Sequence, residues 1–446
     1  MIDAAVLALL ESTHPLPQAV AWRTLVGQWW HEDPAHPGKG QVSPQAGVAC
    51  PWLLERLALE SAEAYRAAAA LVLICDAEVD AAGPAAGVPT LLREAAPRLS
   101  ALLAKAHAGT SAGSRLPKAL VYLIARTSRN AREVADLLTP ILGSDSRLCQ
   151  AALTIADSAT TPRLSRYVAS YLSAEIIGAA FDDSVDHLLR TLACPACQSK
   201  LDVSATALVC ERCQYSYRFR GPVLDLLPAD FRGDIEFTEE IVQIYERESR
   251  PRFVRVMAAD WDGLLTPEIE QQYLEQQLQA PEGMVVDLAC GAGSRTEMVA
   301  KQVGARRVIA VDVSLPMLEA CQAGVSGITP VRATAAALPL AGESIAAINC
   351  SDALQALPDA SLVLAEACRV LRPGGLLTGF TFVESVSEPV RYAQHRFPAW
   401  PRRLMKSSDL RQMIVRAGLT VSNLRQLGQA VFFTATRGEA REGAVP

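Results

Sequence analysis

Cys194, Cys197, Cys210 and Cys213 form two C-x2-C pairs separated by twelve residues. Each pair makes a tight knuckle presenting two sulfurs, and the segment between them is long enough for a hairpin, with Val203 to Val209 supplying its strands. Four thiolates close a tetrahedral shell. The chemistry is therefore a structural zinc site with no position left for a reactive water, with iron in a rubredoxin-like site as the minor alternative.

A second constellation follows about seventy residues later, where Met284-Val-Val runs into Asp287-Leu-Ala-Cys-Gly291-Ala-Gly293. A glycine turn between a strand and a helix brings backbone amides close to a ligand. In a dinucleotide fold a third glycine would stand at the position of Thr296, and a carboxylate four residues ahead of the first glycine would repel a pyrophosphate. The same carboxylate suits a ligand bearing an ammonium group. The amino-acid end of S-adenosylmethionine (SAM) fits this turn better than NAD does. A second apolar run, Val308-Ile-Ala-Val, ends in Asp312. An acid there can accept hydrogen bonds from both hydroxyls of a ribose, a role shared with NAD enzymes.

Residues 281–438 resemble class I SAM-dependent methyltransferases. The matching stretches are Val286-Asp-Leu-Ala-Cys-Gly-Ala-Gly293, Val311-Asp-Val-Ser-Leu-Pro-Met-Leu318, Leu338-Pro-Leu340 and Glu366-Ala-Cys-Arg-Val-Leu-Arg-Pro-Gly-Gly375. The resemblance implies that Asp287, Ala289, Gly291 and Gly293 frame the methionine part of the cofactor, that Asp312 holds the ribose, and that Val313 and Met317 border the adenine. Cys350, after the fourth strand, is assigned to the same lining. Three positions depart from the family pattern. Thr334, before Ala335, stands where an acid usually meets the adenine amino group; Ile345-Ala346 replaces Phe-Asp; and Gln355 stands near a usual histidine. The cysteine module resembles the short zinc ribbons ahead of some methyltransferase domains, among them ribosomal RNA guanine and natural-product methyltransferases. That likeness does not choose a substrate.

The elements that must position these groups follow from pattern. The 446 residues are 50% hydrophobic and 20% charged, enough for sizeable cores in two to four domains. Residues 1–190 read as an all-α domain of unassigned role, with helices at 52–75, 90–108, 117–127, 131–142, 147–157 and 163–180 and Asn130 as an N-cap. Residues 191–226 hold the ribbon, 227–280 a helical linker or lid, 281–438 a doubly wound Rossmann-like α/β fold, and 439–446 a polar tail. Within the α/β region, strands fit at 284–288, 307–312, 329–332, 345–350, 376–382, 420–425 and 430–436. The last two read as an antiparallel edge.

Net charge is −6 and pI near 5.7, which argues against nucleic acid as a partner. Eleven cysteines, an odd number without a paired framework, point to a reducing compartment. The start of the chain has no basic segment of the signal-peptide kind, and no apolar run approaches the ~20 residues that span a bilayer. A cytoplasmic protein without membrane contact is the expectation, and a homodimer is left open.

Methyl transfer from a sulfonium needs alignment first, and a base only where the acceptor must lose a proton. Substrate contacts are expected beyond the C-terminal ends of the strands. Candidates are Asp352 and Gln355 after the fourth strand, Tyr245 in the preceding helical segment, and a lid over Glu384 to Arg403. In that lid Tyr392 and His395 are the catalytic candidates, His395 as general base. Arg391, Arg396, Arg402, Arg403 and Lys406 could hold an anionic or carrier-bound substrate, or be solvated charge. The stretch Cys350-Ser-Asp-Ala-Leu-Gln355 is not the Asn-Pro-Pro-Tyr type used on amino groups of bases. A small-molecule methyltransferase of specialised metabolism is the leading reading. The alternatives are an RNA methyltransferase, a SAM-fold enzyme of non-methylating ring closure, and a non-catalytic scaffold.

Overall fold

The computed structural model describes residues 4–11, 15–32, 40–43, 45–58, 62–80, 88–108, 115–159, 161–180, 183–204, 207–228, 231, 239–258, 264–279, 281–396 and 404–438. The chain divides into two compact units: Trp22–Asp183, and Met1–Ala21 together with Ser184–Pro446.

The first unit is built of helices. After α1 (Ala4–Leu10), which belongs with the second unit, come α2 (Pro15–Trp29), α3 (Gln45–Arg56), α4 (Ala62–Asp80), α5 (Val88–Glu94), α6 (Ala96–Ala108), α7 (Arg115–Thr127), α8 (Ala131–Leu142), α9 (Arg147–Ala156) and α10 (Pro162–Ala180). Helix α4 packs against α3, α7 and α10 through an uninterrupted buried run from Ala67 to Cys75. The side chain of Asn130 caps α8 by accepting from the Glu133 amide at 3.0 Å. Two details differ from the expected pattern. The helix expected at 52–75 is two helices, the first starting ahead of Pro51. The expected all-α region also contains a two-stranded antiparallel sheet, β1 (Trp30–Glu32) with β2 (Gly40–Val42).

The second unit is organised by one sheet. Its strands are β3 (Leu201–Ser204), β4 (Ala207–Cys210), β5 (Ser216–Arg220), β6 (Val223–Asp225), β7 (Met284–Leu288), β8 (Val308–Asp312), β9 (Thr329–Arg332), β10 (Ile345–Ser351), β11 (Leu371–Phe382), β12 (Leu419–Leu427) and β13 (Ala430–Arg437). They lie in the order β12-β13-β11-β10-β7-β8-β9-β6-β5-β4-β3. The central strands β11, β10, β7, β8, β9 and β6 are parallel, and β13 and β12 add the expected antiparallel edge. Strands β7 and β10 are buried along their whole length, as parallel strands covered on both faces must be.

Its helices are α11 (Asp183–Thr191), α12 (Glu239–Ile244), α13 (Arg250–Met257), α14 (Pro267–Gln277), α15 (Ser294–Val303), α16 (Leu315–Gly324), α17 (Ala360–Val370), α18 (Glu388–Arg396) and α19 (Ser407–Arg416). A π-helical turn, Tyr245–Ser249, joins α12 to α13. The cysteine module does not stand apart from the α/β region. Strand β6 pairs in parallel with β9, Leu224 opposite Val331 and Asp225 opposite Arg332, so β3 to β6 prolong the same sheet. Among the described residues no helix is long and apolar enough to cross a membrane.

Candidate functional site

The turn between β7 and α15 is wound tightly. Ala289, Gly291 and Gly293 have φ of 55°, 56° and 98°, a region that costs a side chain free energy and glycine little. At Gly293 a Cβ would also come within 2.7 Å of Cys321 Sγ on α16, so glycine there lets two helices approach. The Gly291 amide donates to Asp312 Oδ2 at 3.0 Å, and the Ser314 amide donates to Asp312 Oδ1 at 2.9 Å. Two backbone amides thus fix the carboxylate of Asp312 at the end of β8, and each oxygen keeps acceptor capacity.

Asp287 is buried at the end of β7 with 1% exposure. Its oxygens accept from Thr296 Oγ1 and Asn349 Nδ2, each at 2.6 Å. Neither donor is charged, and burial pushes its pKa up to about 6 despite both bonds. A desolvated carboxylate held by neutral donors fits a ligand that brings its own positive charge.

Beside the turn lies a buried charge cluster. Glu270 on α14 pairs with Arg250 Nη2 at 2.5 Å and with Arg295 Nε at 3.1 Å. Asp352 Oδ2 lies 3.5 Å from both guanidinium groups. Burial pushes Glu270 up to about 7 and Asp352 up to about 6, in each case against the pull of Arg250. Burial also raises the pKa of Tyr245, as do Asp352 and, more weakly, Asp312. Gln355 is held by its neighbours: its amide oxygen accepts from Thr381 Oγ1 at 2.7 Å, and its Nε2 donates to the Asp352 carbonyl at 2.9 Å and to Asp352 Oδ1 at 3.0 Å.

The remaining predicted residues fall in identifiable places. Val313 follows Asp312, and Met317 is buried on α16 with 1% exposure. Thr334 uses its hydroxyl to accept from the Ala336 amide at 3.3 Å and so caps the turn next to buried Ala335. Cys350 is buried and its thiol is pushed up to about 12 by burial, so it stays protonated and unreactive. Its carbonyl would lie 2.1 Å from a Cβ at Gly379, which marks this stretch as closely packed strand.

Within the expected lid, Glu388–Arg396 forms helix α18. Glu388 lies in its first turn and His395 and Arg396 in its last, the charge order that favours a helix. The residue facing inward is Gln394, whose Nε2 donates to the Met257 and Val383 carbonyls at 2.9 and 3.1 Å. Tyr392 is 66% exposed. His395 Nε2 lies 3.1 Å from Glu384 Oε1, with its side chain 59% exposed. The lid residues Phe397, Trp400, Arg402 and Arg403 lie outside the described residues, as does the tail.

The four cysteines converge. Their sulfurs all lie within 4.8 Å of one another, with Cys194–Cys213 at 3.6 Å and Cys197–Cys210 at 3.4 Å. Zinc–sulfur bonds of ~2.3 Å at a tetrahedral centre place sulfurs about 3.8 Å apart, so the cluster is compatible with zinc. Hydrogen bonds from the Ser199 side chain and amide pull Cys197 down to about 6, while, against a Tyr215 backbone hydrogen bond, the neighbouring cysteines push Cys213 up to about 12. The Tyr217 hydroxyl lies 3.2 Å from Cys194 Sγ, a supporting contact of the kind that orients a ligand.

Residues 285–375 match the family model of the methyltransferase domain. This region is a class I SAM-dependent methyltransferase domain. An uncharacterized chloroplastic methyltransferase of Arabidopsis thaliana is 28% identical over 265 residues, covering 52% of this chain and 73% of the relative. A second chloroplastic methyltransferase of that plant is 28% identical over 226 residues, 44% of this chain and 62% of the relative. The malonyl-acyl-carrier-protein O-methyltransferase of Methylococcus capsulatus is 32% identical over 143 residues, 30% of this chain and 52% of that protein.

Several parts of this candidate site were not legible in the sequence. Asn349 could have been found from strand order, because parallel register sets it directly beside Asp287. Thr296, noted only as a missing glycine, is the second donor to that carboxylate. Arg250, Glu270 and Arg295 carry no sequence signal, since they come from three separate helices.

Asp287 gives a testable pH dependence. Its pKa is raised from 3.8 to about 6 on folding. For the ligand-free protein, the stability linked to its proton is complete below about pH 4 and lost as pH rises through about 6. Asp287→Asn is therefore expected to stabilise the ligand-free chain at pH 7.5 by about 1–3 kcal/mol, with the gain shrinking toward pH 4. The same variant should bind S-adenosylhomocysteine at least about tenfold more weakly, because a carboxylate–ammonium attraction is lost. Thermal melts across pH and calorimetric titration measure the two effects. A variant that is less stable at pH 7.5 and binds normally would contradict this role.

Proposed function

We propose that this chain transfers the methyl group of SAM to a small organic acceptor, free or carrier-borne, and that the four-cysteine cluster holds a structural zinc. The observation that carries the reading is a pair of carboxylates at neighbouring strand ends, Asp287 buried and Asp312 partly buried. Asp287 lacks a cationic partner, and Asp312 is fixed by two backbone amides beside a glycine turn. Asp287 and the amides of the 289–293 turn would hold the methionine end, and Asp312 the ribose. Val313, Met317 and the Thr334–Ala335 turn would border the base. When bound, the cofactor supplies an electrophilic methyl group on a sulfonium.

The chain's own residues align and enclose. The covering segment from Glu239 to Gln277 is tied down through Arg250, Glu270 and Asp352, and its Tyr245 closes the cofactor side. Net charge of −6 favours a small acceptor over nucleic acid. So does the relative named for malonyl-acyl-carrier-protein methylation.

Proximity and in-line alignment supply most of the rate in this reading. His395 has the arrangement of a base and its orienting acid with Glu384, yet it faces solvent. His395→Ala is expected to lower kcat by less than about tenfold, below the ~10²–10⁴ typical of general base catalysis. Steady-state kinetics on an acceptor found by screening small organic acids, phenols and quinols for S-adenosylhomocysteine release tests both parts. A loss of a thousandfold in His395→Ala would make it the base. Acceptance of structured RNA in place of every small acceptor would overturn the substrate class.

A further inference from the structure

We propose that the cysteine module is a working wall of the cofactor pocket, and that metal in it sets cofactor affinity through Asp225, Arg332 and Val313. This rests on the cofactor reading above. The link is a short chain of contacts. Strand β6 leaves the cysteine module and pairs with β9, Asp225 beside Arg332, and the Leu226 amide extends the ladder by donating to the Arg332 carbonyl at 2.9 Å. Arg332 Nη1 lies 3.3 Å from Asp225 Oδ2. Its Nε donates to the Val313 carbonyl at 2.8 Å. Val313 is the residue after Asp312, and the Ala333 amide donates to the Asp312 carbonyl at 3.0 Å. One half-buried guanidinium therefore joins the last strand of the metal module to the loop that presents the ribose-binding acid.

A second route reaches the same wall. The Ala193 amide, next to Cys194, donates to the Pro339 carbonyl at 2.9 Å, and the Ala341 amide donates to the Thr191 carbonyl at 2.8 Å. Cys194, Cys210, Leu208, Tyr217 and Leu224 share one hydrophobic core with Val331, Ala335, Leu338 and Leu340. The cluster is thus packed against the segment that carries Thr334 and Ala335. Separating four thiolates by removing their metal loosens β4 and the knuckle at Cys194, and both routes pass that loosening to the base and ribose side. Glu366 and Arg369 hold the 338–340 segment independently, so the domain stays folded and the effect is graded. Asp225 and Arg332 are positioning residues, since they act on the ribose-side loop through the Val313 carbonyl and the β9 backbone.

The test is calorimetric titration of S-adenosylhomocysteine into the full chain, zinc-loaded and after chelator treatment. Arg332→Gln and Asp225→Asn, both with metal content measured, accompany it. Loaded wild type should bind, and chelation should weaken binding by about tenfold. Arg332→Gln should lose several-fold in affinity while retaining zinc, and chelation should then add less than it does in wild type, the remainder passing through the Ala193–Pro339 and Thr191–Ala341 contacts. Asp225→Asn should fall between them. That loss of sensitivity to chelation is a readout that mere destabilisation would not produce. Binding that is unchanged within twofold by chelation and by Arg332→Gln would overturn the coupling and leave the cofactor reading intact. No binding by the loaded wild type would overturn the cofactor reading and the coupling with it.

Discussion

Asp312→Ala is expected to weaken S-adenosylhomocysteine binding by at least about a hundredfold while leaving the chain folded. Hydrogen bonds to a charged acceptor are worth about 1.5–3 kcal/mol each, and a ribose offers two hydroxyls to this carboxylate. The substitution also frees the Gly291 amide, now fixed at 3.0 Å from Asp312 Oδ2, so the turn itself loses its clamp. Stability should change little, because burial disfavours the charged carboxylate in the ligand-free protein and raises its pKa. Calorimetry and a thermal melt separate the two quantities. Asp312→Asn, which keeps one acceptor oxygen, should lose less. Wild-type affinity in Asp312→Ala would show that the β8 acid does not meet the ligand.

Glu270→Ala should carry the larger cost in stability, about 3–5 kcal/mol, because it leaves Arg250 and Arg295 buried with only Asp352 between them. In a unit of this size that lowers the melting temperature by roughly 10 °C. The consequence reaches function. Glu270 is the point at which α14, α13 and α15 are joined, so its loss also frees the segment bearing Tyr245. Cofactor affinity should fall in proportion to that freedom, and Glu270→Gln, which retains one acceptor, should recover part of both. A melting temperature within about 2 °C of wild type would show that the cluster is not a latch.

The sequence spoke clearly where a local rule decides the structure. Asp287, Gly291 and Gly293 were readable because a strand-to-helix turn at a ligand leaves few residue choices. The convergence of the four cysteines was readable because two C-x2-C pairs twelve residues apart have the spacing of a tetrahedral site. Strand limits in 284–437 agreed to within two residues except at β11, whose early start at Leu371 runs through a Pro-Gly-Gly stretch that reads as a turn.

What escaped was set by distance. Asn349 reaches Asp287 across 62 residues, and Arg332 reaches Asp225 across 107. No periodicity encodes either pair. Helix α18 escaped because its apolar pattern is weak and its anchor, Gln394, is polar. The ribbon's entry into the main sheet escaped because β6 is only three residues long, too short to announce a strand.

The most direct single measurement is calorimetric titration of the 446-residue chain with SAM at pH 7.5. One site with a Kd on the order of 10 μM is expected. Absence of binding at about 1 mM ligand would contradict the assignment of Asp287, the glycine turn and Asp312 as a cofactor site.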